Sequence, residues 1–122
     1  MYDHVSLKVR NFTRSLAFYT AALAPLGYEP QGVDEASKSA GFGPPGAVGL
    51  YIAQATPASQ VHLAFVAPKR GAVDQFYSNA LEHSGKDNGK PGLRADYGKN
   101  YYAAFVFDPD GNNLEAVTHS AK

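Results

Sequence analysis

The sequence repeats itself at an offset of 58 residues, and this internal repeat constrains the fold more than any other feature. Residues 4–27 and 62–85 share six identities in twenty-four positions. The matched residues are His4 with His62, Phe18-Tyr19 with Phe76-Tyr77, Ala22-Leu23 with Ala80-Leu81, and Gly27 with Gly85. These identities fall on equivalent strand and helix positions, which a duplicated structural unit explains better than chance does.

Each copy of the repeat begins with a predicted strand followed by a helix. Polar and apolar residues alternate over residues 3–9, which predicts a half-buried strand. Asn11 is a suitable N-cap for a helix that Pro25 and Gly27 should end. The second copy predicts a strand and a helix at residues 61–67 and 69–83, and this second helix has no evident N-cap.

Three further strands should complete each copy. They are predicted at residues 28–43 (two short strands), 48–55, 100–107 and 112–119. The last two are joined by Asp108-Pro109-Asp110-Gly111, a turn sequence typical of a bulged hairpin with a left-handed glycine. We interpret Gly41–Gly49 as a turn, and the Gly-rich residues 84–99 as a long ligand-covering loop with room for one short strand.

The predicted fold class is therefore α+β, with two tandem βαβββ modules in a single domain, at about residues 1–56 and 57–122. The modules should form a curved mixed sheet around a cleft, with the helices on its convex side. Apolar residues of the first strand should face the helices and polar residues the cleft: Val5, Leu7 and Val9 against His4, Ser6 and Lys8.

Composition restricts the classes of function. The chain has no Cys, which excludes a thiol nucleophile and a Cys-ligated metal and fits a reducing, cytoplasmic location. Eleven basic and eleven acidic residues balance without a basic cluster, so we expect neither a nucleic-acid partner nor an anionic-membrane partner. No segment has the pattern of a signal peptide or a membrane span. The expected partner is a small molecule.

Three residues are candidate metal ligands. His4 and His62 occupy the first strands of the two modules, and Glu115 lies on the last strand. Because Leu114 and Ala116 should face the helices, Glu115 should face the cleft, where a buried carboxylate is unfavourable unless it is paired or coordinated. Two His and one carboxylate would form a facial triad with open positions for a substrate or water. The alternative is that both His are hydrogen-bonded structural residues.

Other residues are candidates for binding a ligand. Aromatic walls are predicted from Tyr51, Phe65, Phe105 and either Tyr101 or Tyr102, since only one of two successive strand residues can face the cleft. Such walls suit a flat or hydrophobic molecule. Asn88 and Arg94, in the Gly-rich segment, could orient polar groups, and Arg94 suits an anion or carboxylate. Core packing and a solvated loop are the competing interpretations.

Three segments resemble the signatures of the vicinal-oxygen-chelate superfamily, which contains glyoxalase I, bleomycin-resistance proteins and extradiol dioxygenases. They are DHVSLKVRNFTRSLAFYTAAL at residues 3–23, VHLAFVAP at 61–68 and YYAAFVFDPDGNNLEAV at 101–117. The resemblance covers nearly the whole chain, and the hairpin followed by a carboxylate is its most specific element.

The resemblance implies a set of metal ligands. In glyoxalase I four ligands come from the first and last strands of both modules, and His4, His62 and Glu115 match three of them. The fourth, normally Glu or Gln, falls at or near Tyr51, which departs from the glyoxalase I pattern. The remaining His-His-Glu set resembles that of extradiol dioxygenases, in which the ligands occupy other strand positions. A divalent ion (Ni, Mn, Fe, Zn or Co) is implied, with Glu115 also able to act as a catalytic base.

Two functions follow from the resemblance. The first is a metal-dependent isomerase, lyase or dioxygenase acting on a small oxygen-bearing molecule. The second is a metal-free, resistance-type protein that sequesters a compound in an aromatic cleft. A metal-free catalyst is a third possibility. The resemblance also implies a homodimer, in which His4 would join His62 and Glu115 either of the same chain or of the partner.

Overall fold

The computed structural model describes all 122 residues as two βαβββ modules. The first contains β1 (Val5–Val9), α1 (Phe12–Leu23), β2 (Glu29–Asp34), β3 (Ser39–Gly43) and β4 (Leu50–Gln54). The second contains β5 (His62–Val66), α2 (Arg70–Glu82), β6 (Lys86–Leu93), β7 (Tyr102–Phe107) and β8 (Asn113–Thr118). The strand orders, β1-β4-β3-β2 and β5-β8-β7-β6, are equivalent. The α+β fold with two repeated modules is confirmed.

Each sheet is mixed, with a parallel pair at one edge. In the first module β1 runs parallel to β4, and in the second β5 runs parallel to β8. No backbone ladder joins the two sheets within the chain. The predicted curved sheet therefore consists of two four-stranded halves, and β1 and β5 each form an edge.

Local signals account well for the first helix. The side chain of Asn11 accepts a hydrogen bond from the amide of Arg14 at 3.0 Å, as expected of an N-cap. After Leu23 the chain makes one 3₁₀ turn that contains Pro25, and Gly27 then adopts a left-handed conformation with φ 89°. These residues end the helix where the sequence predicts.

The second helix begins without a side-chain cap. The amide of Arg70, its first residue, instead donates to the carbonyl of Lys122 at 3.1 Å. Nε of the Arg70 side chain donates to the carbonyl of Ser120, also at 3.1 Å. The backbone groups at the helix start are thus satisfied by a segment 50 residues further along the chain. Neither helix is long and apolar enough to cross a membrane.

One cluster of 22 buried residues extends through both modules. Leu7 and Val9 belong to it, whereas Ser6 and Lys8 are exposed, so the predicted division of β1 into two faces is confirmed. Phe18 and the repeat-related Phe76 are both fully buried on their helices. Burial of a Phe side chain contributes about 1.5–3 kcal/mol relative to its exposure, which makes the duplicated positions anchors of the core.

The prediction of a turn across Gly41–Gly49 was partly wrong, because β3 continues to Gly43. Gly41 and Gly43 are needed for close packing, whereas Gly46, with φ 80°, lies in the turn itself. A Cβ added to Gly41 would lie 2.7 Å from Cγ1 of Val48, and one added to Gly43 would collide with the carbonyl oxygen of Ala47. The loop at residues 44–49 therefore folds back over the strand that precedes it.

Residues 84–99, predicted as a long loop with room for one short strand, do contain a strand, and it is longer than expected. Eight of these residues form β6, which pairs with β7. The register shifts between Asp87 and Gly89 and again between Gly89 and Gly92, and Gly89 has φ 154°. These irregularities break the alternation of side chains, so the sequence lacks the usual strand pattern.

Candidate functional site

Glu115 occupies the centre of the β8 face that looks away from the helices, hereafter the cleft face of the second module. It lies opposite Ala64 on β5 and Phe105 on β7, and it is only 3% exposed. Oε1 lies 3.2 Å from Nε2 of His62, and Oε2 accepts a hydrogen bond from the hydroxyl of Tyr101. No Lys or Arg forms a salt bridge with this carboxylate. The structure thus brings Glu115, His62 and Tyr101 together.

The ring of His62 is oriented by the backbone. Nδ1 lies 3.0 Å from the carbonyl oxygen of Asn113, which can only accept, so Nδ1 carries the hydrogen. In a neutral ring Nε2 then presents a lone pair towards the Glu115 carboxylate. Two such acceptors are compatible at 3.2 Å only when a cation, either a proton or a metal ion, lies between them. A His with its other ring nitrogen bonded to a carbonyl is the usual arrangement of a metal ligand.

The donor set and its spacing fit two ligands of one divalent ion. Metal bonds of roughly 2.0–2.2 Å to His nitrogen and carboxylate oxygen place neighbouring ligand atoms about 3 Å apart when they subtend a right angle. The observed 3.2 Å between Nε2 and Oε1 agrees with this separation. His62 and Glu115 are therefore suited to hold a metal ion, provided that further ligands come from elsewhere.

Tyr101 remains a hydrogen-bond donor over the ordinary pH range. Burial and, next, the hydrogen bond to Glu115 raise the pKa of its phenol to about 12. The ring is held in edge-to-face contact with Tyr97 and His119, at centroid distances of 5.3 and 5.2 Å. Tyr101 therefore presents a fixed, protonated hydroxyl to the carboxylate.

An open hollow of about 640 Å³ lies in front of these residues. Its lining includes His62, Tyr97, Tyr101, Phe105, Asn113 and Glu115. The His62 ring stacks on Phe105 with 6.3 Å between centroids and 25° between planes. The hollow therefore combines flat aromatic surfaces with one buried carboxylate, which suits a small planar molecule that carries oxygens.

Two predicted ligand-binding residues lie beside the hollow. The side chain of Asn88 donates to Oδ1 of Asn113 at 3.1 Å. The guanidinium of Arg94 donates to the carbonyl of Lys90 at 2.6 Å and stands 5.4 Å from the centroid of Phe105. Neither lines the hollow directly, although Arg94 contacts the same ring as His62 does.

Two other predicted residues, Tyr102 and Phe65, point away from the cleft face. Tyr102 points towards α2, where its hydroxyl donates to Asp74 at 2.6 Å. Phe65 belongs to the core, only 8% exposed, and packs against Tyr28 at a centroid distance of 6.2 Å. Side chains alternate along a strand, so Phe65 and His62 must face opposite sides. Of the Tyr101–Tyr102 pair, only Tyr101 reaches the cleft face.

Phe65 and Tyr28 instead line an apolar cavity of about 220 Å³ at the junction of the modules. Its other apolar walls are Val5, Phe42, Leu50 and Leu63. It contains no His or carboxylate and is separate from the hollow around Glu115.

The remaining predicted residues, His4 and Tyr51, lie together on the first module. The ring of His4 meets Tyr51 edge to face at 5.3 Å, and its Nδ1 lies 2.7 Å from a carboxylate oxygen of Asp3. Both His rings of the repeat thus lie within hydrogen-bond distance of an oxygen through Nδ1, and Nε2 faces Glu115 in His62.

Register identifies Tyr51 as the counterpart of Glu115. Tyr51 pairs with Ser6, just as Glu115 pairs with Ala64. Within one chain, however, no three His, Asp or Glu side chains approach closely enough to hold a metal ion. The triad of His4, His62 and Glu115 is therefore not assembled by a single chain.

Two site residues lack a clear sequence signal. Asn113 acts through its backbone carbonyl, which no side-chain pattern can reveal. Tyr97 lies in the loop after β6, and the only sequence signal for its place in the site is an aromatic residue close to Tyr101.

Comparison with known proteins identifies the family and the fold. The family model of the Glyoxalase/Bleomycin resistance protein/Dioxygenase superfamily matches residues 2–116. The chain belongs to this superfamily, and the predicted resemblance is confirmed. No curated protein matches the chain significantly.

Solved structures show the same fold. A glyoxalase/bleomycin resistance protein from Albidiferax ferrireducens T118 is 29% identical, with a TM-score of 0.83 over 97% of this chain and 98% of that one. A glyoxalase/bleomycin resistance protein/dioxygenase family enzyme from Burkholderia phytofirmans PsJN is 17% identical, with a TM-score of 0.72 over 97% and 98% of the two chains. The second similarity concerns the fold alone.

Proposed function

We propose that this protein is a divalent-metal-dependent enzyme, of the isomerase, lyase or dioxygenase type, that acts on a small oxygen-bearing molecule. The observation that carries the proposal is the pairing of the buried Glu115 carboxylate with Nε2 of His62, whose Nδ1 is already bonded to a carbonyl. A proton or a metal ion can lie between these two atoms, and their spacing suits two ligands of one metal ion. Composition favours a cytoplasmic location.

The proposed ligands are His62 and Glu115 of one chain and His4 of a second. When bound, a divalent ion supplies Lewis-acid stabilisation of negative charge on substrate oxygens. Phe105 and Tyr97 provide flat surfaces that orient a planar substrate and exclude water from one side. The carboxylate of Glu115 is the only acid or base within the cleft that is both buried and aimed at the hollow, so it is the candidate for moving a proton.

A homodimer would complete this site. β5 is an edge strand. The amide of Asn113 donates to the carbonyl of Val61, and the amide of Ala67 donates to the carbonyl of Val117. The backbone groups of the odd-numbered residues along β5 therefore point towards β8. The backbone groups of Ala64 and Val66 therefore point outwards, and Val66 is 72% exposed. An open strand edge with an apolar side chain is suited to pairing with another strand. We infer that β1 of a second copy, which follows His4 directly, pairs with β5.

Metal titration tests the proposal. Calorimetry of the purified protein with Ni²⁺, Mn²⁺, Zn²⁺ and Fe²⁺ should give stoichiometric binding at micromolar concentrations for at least one ion. The variants His62→Ala and Glu115→Gln should abolish this binding, and His4→Ala should weaken it. His83→Ala is the matched control, because the His83 ring bonds the carbonyl of Asn79 on α2, away from the cleft face. Absence of binding to the wild-type protein would refute the proposal.

A metal-free binding protein is the second candidate, and one observation favours it. A single chain assembles only two ligating side chains, while the aromatic surface at Phe105, stacked with His62 and contacted by Arg94, is complete. Such a surface could hold a planar compound without an ion. A thermal-shift screen in the presence of a chelator separates the two functions. Stabilisation by aromatic compounds that persists in Glu115→Gln, which keeps both stacked rings, and fails in Phe105→Ala would favour the binding protein.

A further inference from the structure

We propose that Tyr101 is a positioning residue for Glu115. Its hydroxyl holds Oε2 of the carboxylate, so that Oε1 alone is offered, beside Nε2 of His62, to an ion. The inference rests on the proposed metal site, and it adds a residue that neither the family signature segments nor the predicted ligand set assigns a role at the carboxylate.

The carboxylate has few other restraints. Glu115 is buried, its Oε1 faces His62, and Oε2 has the Tyr101 hydroxyl as its only hydrogen-bond partner. A carboxylate without that donor could rotate about its last torsion, which is soft for Glu, and turn either oxygen or both towards a metal ion. The Tyr101 hydroxyl removes this freedom, because Oε2 would lose a hydrogen bond in a buried site.

Tyr101 is itself well fixed. Its backbone carbonyl accepts from the amide of Arg94 at 2.7 Å, and its amide donates to the carbonyl of Gly98 at 3.3 Å. The ring makes edge-to-face contacts with the rings of Tyr97 and His119. A donor held at both its backbone and its ring can orient the carboxylate, whereas a mobile one would follow it.

The next residue provides a matched control. Tyr102 also donates its hydroxyl to a carboxylate, that of Asp74, but on the opposite face of β7. Tyr101→Phe and Tyr102→Phe each remove one phenol oxygen and one hydrogen bond to a carboxylate, and only the first touches Glu115. A difference between them therefore reports on the cleft and not on the general loss of a hydroxyl.

Calorimetry and NMR together test the inference. Partners that orient metal ligands typically change affinity by about 10–100-fold when removed, so Tyr101→Phe should weaken metal binding by that factor, and Tyr102→Phe by less than about twofold. In the metal-free protein the imidazole ¹⁵N resonances of His62 should shift in Tyr101→Phe and stay in place in Tyr102→Phe, because Oε1 moves relative to Nε2 only in the former.

The outcomes are distinct. Wild-type binding with equal affinity in Tyr101→Phe would overturn the inference and leave the proposed function intact. If the wild-type protein binds no metal, the proposed function fails, and the His62 resonances decide whether Tyr101 positions Glu115. Resonances unchanged in both variants would then overturn it. Should Tyr101→Phe not fold, His119→Ala removes one ring contact of Tyr101 and should move the same two readouts in the same direction; no effect there would overturn the inference.

Discussion

The hydroxyl of Tyr19, on α1 of the first module, donates a hydrogen bond to Oδ2 of Asp108, in the hairpin turn of the second module. Tyr19 is 0% and Asp108 is 4% exposed. The same carboxylate accepts from the amides of Asp110 and Asn112 at 2.9 and 2.8 Å. The repeat-related Tyr77 instead donates to Asp87 of its own module at 2.9 Å. One copy of the duplicated Tyr thus joins the modules, and the other does not.

We predict that Tyr19→Phe lowers the free energy of unfolding by about 1–3 kcal/mol, because a buried carboxylate oxygen loses a donor. Urea denaturation measures this loss. The matched variant Tyr77→Phe removes the same atom from a hydrogen bond on the surface and should lose less than about 1 kcal/mol. Equal losses in the two variants would contradict a special role of Tyr19 between the modules.

The same residue predicts a dependence of stability on alkaline pH. Burial, then the charge of Asp108, raises the pKa of Tyr19 well above its ordinary value. The folded protein keeps this proton where the unfolded chain loses it, so the stabilisation is complete below about pH 10 and declines as the pH rises further. The unfolding free energy should therefore fall more steeply above pH 10 in the wild-type protein than in Tyr19→Phe. Parallel profiles would show that Tyr19 ionises normally.

Much of the second-module site was predictable because strand alternation is strict. Leu114 and Ala116 are apolar and were expected to face the helices, so Glu115 between them had to lie on the cleft face. The hairpin was predictable for a similar reason, since Asp108-Pro109-Asp110-Gly111 has the chemistry of its turn, and Gly111 does adopt a positive φ of 87°. Both inferences depend on residues that are close in sequence.

The unpredicted features depend on contacts between distant residues. The length and position of β6 were not predicted, because its bulges destroy the alternation that identifies a strand. The start of α2 is capped by the carbonyl of Lys122, which no local pattern indicates. The distance between His4 and His62 depends on how the modules pack and on a possible second copy. Local periodicity contains no information on either.

Tyr51 offers a gain-of-function test of the shared site. It occupies the first-module position equivalent to Glu115 and is 42% exposed, so a charged side chain is tolerated there. We expect Tyr51→Glu to add a carboxylate ligand and to tighten metal binding about tenfold, since hard divalent ions gain affinity with carboxylate ligands. Tyr51→Phe keeps the ring beside His4 without adding an oxygen and should leave the dissociation constant unchanged. Unchanged affinity in Tyr51→Glu would place Tyr51 outside the metal site.

The open edge at β5 predicts a variant that separates the dimer. Val66→Lys puts a charge on the outermost strand, where charged residues are known to prevent edge-to-edge pairing. Sedimentation velocity should show a shift towards monomer, together with weaker metal binding. Val33→Lys makes the same substitution at an exposed Val of β2, at the far edge of the other sheet, and should remain dimeric. A Val66→Lys variant that stays dimeric would assign the interface to another surface.

Mixing two variants that each lack tight metal binding tests whether the metal site is shared between chains. His4→Ala and His62→Ala should each lose tight metal binding as homodimers, because every site contains one altered ligand. In a mixed dimer both alterations fall in the same site when His4 of one chain joins His62 of the other, and the second site is intact. Random exchange makes half of the dimers mixed, so about one quarter of the sites should recover wild-type affinity in calorimetry of the exchanged sample. If each site lay within one chain, every site would carry an alteration and none would recover. Mixing His62→Ala with Glu115→Gln provides the control, since these residues belong to the same half-site and a mixed dimer then has no intact site.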